Sequence, residues 1–124
     1  MCQELKIETE NDAIPRIASG FAGGIGNTGS VCGSVIGAIM AIGLNQSRAE
    51  SMEEAIRNLA VTQEFRRRFE AEMGTINCSE LTRADLTTPE GIKQFMESDT
   101  PQKVCFPAVG LAYRLVLDVL NETL

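Results

Sequence analysis

A chain of 124 residues has the size of one ordinary domain, and 44% hydrophobic against 23% charged residues is the balance of a folded protein rather than a disordered one. Seventeen acidic against eleven basic side chains leave a formal net charge of −6, and the only basic cluster, Arg66-Arg67-Arg68, is flanked by Glu64, Glu70 and Glu72; a nucleic-acid footprint needs a basic face, so that partner is not expected. Histidine is absent, which removes Ser-His-Asp and Cys-His nucleophiles, His-ligated zinc and haem on a proximal His.

Aromatic residues are scarce, no strand-like alternation is sustained, and apolar spacings of three and four recur. The chain therefore reads as all-α, a single helical domain over 1–124 built as a compact bundle of about five to six helices. Residues 3–8 resemble the tail of a helix, and a second, short helix runs from about Asn11 or Asp12 to Phe21 with Pro15 in its first turn. Ser30 is the expected cap of a helix ending near Leu44, the central helix of the core, whose Gly33, Ser34, Gly37, Ala38, Ala41 and Gly43 would let another backbone approach closely. A capping box, Ser47 with Glu50 or Ser51 with Glu54, opens a long helix to Met73, ended by Gly74 and carrying Met52, Ala55, Ile56, Leu59, Phe65, Phe69 and Met73 towards the core. Cys78 begins a short helix ending near Leu86, Thr87 with Glu90 caps another to about Ser98, and the last begins after Pro101 or Pro107 with Val109, Ala112, Leu115, Val116, Val119 and Leu120 facing inward.

No apolar stretch follows a basic start, so no signal peptide is read. The longest apolar run, Val31 to Leu44, falls short of the ~20 residues that span a bilayer. The expected compartment is the cytoplasm, with no membrane span.

Gly20 to Ser34 holds six of the eleven glycines and then Cys32. Gly24-Ile25-Gly26-Asn27-Thr28-Gly29 matches G-x-G-x-x-G, but a dinucleotide site needs a strand before it and another after the helix, and neither pattern is present. The stretch reads instead as a sharp connection between helices. Gly26, Gly29 and Gly33 are its candidate cofactor-binding positions, and Cys32 at the start of the next helix is the best single site candidate, because backbone amides there favour a thiolate.

Of the four cysteines, Cys2, Cys32, Cys78 and Cys105, none forms a CxxC pair, and spacing alone favours small buried hydrophobes. Yet Cys32, Cys78 and Cys105 each fall at a helix start or loop edge, where they could converge at one end of a bundle. They would then either close a reversible disulfide, which needs Cα atoms within about 7 Å, or hold zinc or an iron–sulfur cluster through thiolates.

The segments "GFAGGIGNTGSVCGSVIGAIMAIGL", "NCSELTRADLTTPEG" and "KVCFPAVGLA" resemble the C_GCAxxG_C_C family of small proteins, named for four cysteines and a CGAxxG motif, over Arg16 to Leu120. The motif maps onto Cys32-Gly33-Ser34-Val35-Ile36-Gly37, with Ser34 in place of alanine, and the two later family cysteines map onto Cys78 and Cys105. The first family cysteine belongs to an NCAQ-like helix upstream of this chain's start, so the resemblance implies a shortened N-terminus with Cys2 near the end of that helix. It also implies redox activity through Cys32, Cys78 and Cys105, as catalytic or metal-ligating sulfurs, and names no substrate.

The remaining candidates have plainer roles. Glu50, Glu53, Glu54, Glu70 and Glu72 form a solvated face, Met40, Met52, Met73 and Met96 pack the core, the arginine run pairs with nearby Glu, and Tyr113 sits at the core edge. The expected function is that of a redox-active cysteine protein, by thiol–disulfide exchange or by thiolate binding of a metal or iron–sulfur cluster, working with a redox protein partner or as a homo-oligomer. The alternative is a non-catalytic helical interaction module with its cysteines buried as core. No complete catalytic constellation can be assembled from the residues, so an enzyme with its own substrate is not expected.

Overall fold

The computed structural model describes residues 12–122 and is all-α: 72% helical, with six α-helices and no strand among the described residues. The helix read over residues 3–8 lies outside them. In chain order these are α1 (Ala13–Ala18), continued by a 3-10 turn at Ser19–Phe21, then α2 (Gly33–Leu44), α3 (Met52–Met73), α4 (Cys78–Thr82), α5 (Pro89–Glu97) and α6 (Phe106–Glu122). A π-helical turn, Pro101–Cys105, runs directly into α6.

Local chemistry sets most boundaries. The Ser51 hydroxyl accepts the Glu54 N–H at 3.1 Å and the Glu54 carboxylate accepts the Glu50 N–H at 2.8 Å, fixing the start of α3. Gly74 ends it in the left-handed region at φ 87°, its N–H on the Glu70 carbonyl. Three expected boundaries differ. Ser30 does not cap α2, because its N–H is bonded to Gly24 and its carbonyl to the Cys78 N–H; Cys32 takes the cap position. Thr88, not Thr87, caps α5 by accepting the Gly91 N–H, since the Thr87 hydroxyl donates to Asp85. Finally, α4 stops at Thr82, short of Leu86, because Arg83 turns left-handed at φ 56°.

Helices α2, α3 and α6 pack mutually around the core. Val35, Ala38, Ala41 and Ile42 come from α2, Phe65 and Phe69 from α3, and Ala108, Leu111, Ala112, Leu115, Val116, Val119 and Leu120 from α6. The most buried helix is therefore α6 rather than α2. Close approach on α2 is made by Ala38 and Ala41, whereas Gly37 and Gly43 face open space. Because α3 meets its neighbours through Val61, Phe65, Phe69 and Met73, the apolar residues of its first half, Met52, Ile56 and Leu59, stand exposed, contrary to the helical-stripe expectation. Met96 and Val109 are exposed as well, for a reason that belongs to the site.

The arginine run pairs as expected. Arg66 meets Glu70, Arg67 meets Glu64, and Arg68 bridges Glu64 (2.8 Å) and Glu122 (2.6 Å), tying α3 to the end of α6. The continuous helix Pro101–Glu122, and not the shorter Gly33–Leu44, is long and apolar enough by length and composition to cross a membrane. In this fold its apolar face is the core itself.

Candidate functional site

The site grows from the glycine connection. Five consecutive residues, Gly23, Gly24, Ile25, Gly26 and Asn27, lie at φ between 62° and 72°, a left-handed turn that costs an L-residue such as Ile25 about 1–2 kcal/mol and glycine nothing. The turn is held from within. Gly26 N–H donates to the Gly20 carbonyl (2.8 Å), Gly29 N–H to Gly23 (3.1 Å) and Ser30 N–H to Gly24 (2.8 Å), while the Thr28 hydroxyl lies 2.8 Å from the Gly24 carbonyl and 2.7 Å from that of Ile25. The amides of Gly26 and Gly29 are thus spent inside the loop and do not point as free donors at a phosphate.

What the turn does is deliver residues 30–32 alongside residues 76–78. Val31 and Asn77 form an isolated antiparallel bridge, with Cys32 N–H on the Ile76 carbonyl (2.7 Å) and Cys78 N–H on the Ser30 carbonyl (2.7 Å). In that register Cys32 and Cys78 share one face of the bridge as diagonal neighbours, a relation that in a β-ladder separates residues by about 7–8 Å. Gly24 closes over the pair so tightly that a methyl group there would sit 2.6 Å from the Cys78 Cβ. The third sulfur, Cys105, ends the π-turn, which packs against α4.

Cys32, Cys78 and Cys105 line one cavity of about 510 Å³. Gly23, Gly24 and Gly33 line it too, while Gly26 and Gly29 do not. Apart from Asn27 and Ser34, the remaining wall is apolar: Leu86, then Ile92, Phe95 and Met96 of α5, joined by Pro101 and by Phe106 and Val109 of α6. Met96 and Val109 are exposed because they face this opening rather than the α2–α3–α6 core. From sequence Met96 and Val109 are expected in the core, and the structure places both at this opening instead; the i, i+3, i+4 spacing of Ile92, Phe95 and Met96 marks an apolar stripe but not what it covers. A second cleft of about 500 Å³ lies beside α5, lined by Arg83, Asp85, Thr88, Glu90 and other polar residues, and holds no sulfur.

The sulfurs differ in setting. Cys32 is half-buried at the N-terminal cap of α2, and its Sγ shares a hydrogen bond with the Ser34 hydroxyl at 3.0 Å. Burial pushes the Cys78 thiol up, the negative charge of a Cys32 thiolate pushes it further, and the Thr82 hydroxyl partly offsets both. Cys105 is also raised, first by burial and then by the charges of Cys78 and Cys32. Each of the three is a free cysteine; Cys78 is close enough to feel charge on Cys32, and Cys105 charge on both. Among the described residues no group of three or more Cys, Asp or Glu is arranged to hold a metal ion. Cys2 lies outside the described residues.

Fold and site together define an all-helical protein whose separated cysteines open onto one apolar cavity. The family described as "Putative redox-active protein (C_GCAxxG_C_C)" matches over residues 1–119. The chain belongs to this family, and the match extends N-terminal to the resemblance that begins at Arg16. No curated protein and no solved structure matches the chain.

Proposed function

We propose that the chain is a dithiol–disulfide redox protein in which Cys32 attacks first and Cys78 or Cys105 closes the disulfide. The observation that carries this reading is the meeting of three free cysteines, from three separate elements, on one apolar cavity. Cys32 is assigned the first attack because it is partly accessible at the N-terminal cap of α2, with the Ser34 hydroxyl at hydrogen-bond distance from its sulfur. Cys78 and Cys105, raised by burial, stay protonated at neutral pH and act second. A disulfide in the cavity removes the ionisable thiols from an apolar setting, and its reduction by a redox partner returns them. Such a cycle belongs in a reducing compartment such as the cytoplasm, where the thiols begin reduced.

The test is equilibrium with dithiothreitol at controlled ratios of its oxidised and reduced forms, the free thiols being counted by alkylation. A two-electron transition lost in Cys32→Ser, with Cys78 or Cys105 as the second sulfur, supports the assignment. Stoichiometric iron, zinc or acid-labile sulfide on anaerobically purified protein, lost in Cys32→Ser, would replace it with a thiolate-held metal. Thiols that neither oxidise nor hold metal would favour the helical interaction module instead.

A further inference from the structure

Resting on that dithiol reading, we infer that the small-molecule substrate of this site is an uncharged, apolar organic disulfide, bound in the cavity over the three cysteines and reduced there to two thiols. A volume of about 510 Å³ lies within the ~300–1,000 Å³ of small-molecule sites. No lysine, arginine, aspartate or glutamate lines it among the described residues. Its polar side chains besides the cysteines are Asn27 and Ser34, and the Ser34 hydroxyl is engaged with Cys32. A charged ligand, such as a carboxylate-bearing peptide disulfide, would shed its hydration with no counter-charge to meet, and an anion would also approach a chain of formal charge −6. The mouth is equally apolar: Met96, Phe106 and Val109 remain 67%, 63% and 56% exposed.

The chemistry closes without a further reagent. The Cys32 thiolate attacks one sulfur of R–S–S–R; the S–S bond breaks, and the first RS⁻ leaves with the bonding pair, giving a mixed disulfide. Cys78 or Cys105, deprotonated, then attacks the Cys32 sulfur and expels the second RS⁻. Two protein thiols become one disulfide, one external disulfide becomes two thiols, and the two protons lost by the cysteines end on the leaving groups.

Two matched pairs of probes test the inference on the full chain. N-phenylnaphthylamine and its anionic counterpart, anilinonaphthalene sulfonate, report binding without sulfur chemistry. The uncharged dye is expected to bind one per chain with a Kd at least about tenfold lower, a difference of ~1.4 kcal/mol. Val109→Lys, a change at an exposed position of the mouth, is expected to erase that preference, and Cys32→Ser to leave it intact. Uncharged dithiodipyridine and dianionic dithiobis(nitrobenzoate) then report the reaction, each rate on the folded chain being divided by that on the urea-unfolded chain. The uncharged reagent is expected to keep the higher ratio and to leave a disulfide containing Cys32. Equal binding of the two dyes, or a preference untouched by Val109→Lys, overturns the substrate class while leaving the dithiol reading standing. The expected dye binding with no Cys32 disulfide from either reagent overturns the reaction and the dithiol reading together. A dimer in sedimentation that Val109→Lys splits makes the mouth a self-association surface and overturns the small-molecule assignment.

Discussion

Replacing Gly24 by alanine asks whether the glycine turn exists to bring Cys78 close. The added methyl group would lie 2.6 Å from the Cys78 Cβ, 2.6 Å from the Ser30 nitrogen and 2.7 Å from the Ser30 oxygen, and two of those three atoms are backbone. Two costs follow. Holding alanine at φ +72° takes about 1–2 kcal/mol, and forcing the neighbours apart takes about 1–3 kcal/mol more. Gly26→Ala is the internal control, since its φ of +62° carries the first cost while nothing lies within 4 Å to carry the second. Urea unfolding should therefore show Gly24→Ala less stable than Gly26→Ala by about 1–3 kcal/mol. Because relief of the clash moves Cys78 away from Gly24, its alkylation rate in the folded state should rise in Gly24→Ala and stay at the wild-type value in Gly26→Ala. Equal stability losses in the two variants, or unchanged Cys78 alkylation, would refute the argument that this turn closes the site.

Three further predictions concern stability. The thiols of Cys78 and Cys105 are raised above their ordinary value of 9.0, so their contribution is complete below that pH and lost as pH rises through it towards the higher folded values; urea titrations of reduced protein should show this alkaline decline shrink in the Cys78→Ala, Cys105→Ala variant. Hydrogen bonds from Arg67 and Arg68 hold the Glu64 carboxyl down to about 2, so its contribution is present above 4.5 and fades as pH falls from there; Glu64→Gln should flatten that acid limb, and added salt should weaken it in the wild type. Phe65 is fully buried between α3 and its neighbours, and Phe65→Ala should cost about 3–5 kcal/mol in the same unfolding assay.

Helix identity was legible in the sequence because it depends on local chemistry: the Ser51–Glu54 box, the Gly74 terminator and the apolar spacing of α6 all act within a few residues. The start of α2 differs because a distant partner claims a local group. Ser30 has the side chain of a helix cap, but its backbone is committed to Gly24 and Cys78, and Cys78 is remote in sequence. The same distance hides the site. Cys32, Cys78 and Cys105 carry no shared spacing, and only the Val31–Asn77 bridge and the π-turn bring them to one cavity. Apolar stripes were readable as stripes, but Met52, Ile56 and Leu59 point away from the core and Met96 points to the cavity mouth, since a helical period gives the face and not its neighbour. The glycine run was read as a turn leading to a sulfur, while the internal use of its amides became visible only with the carbonyls in place.

The most direct test of the account is a disulfide map. Reduced protein, oxidised anaerobically with one equivalent of an uncharged disulfide, trapped by alkylation and digested, should yield an intramolecular link from Cys32 to Cys78 or Cys105, and Cys32→Ser should abolish it. Recovery of Cys32, Cys78 and Cys105 all as alkylated thiols, with the oxidant unconsumed, would contradict the claim that these three sulfurs form one redox unit.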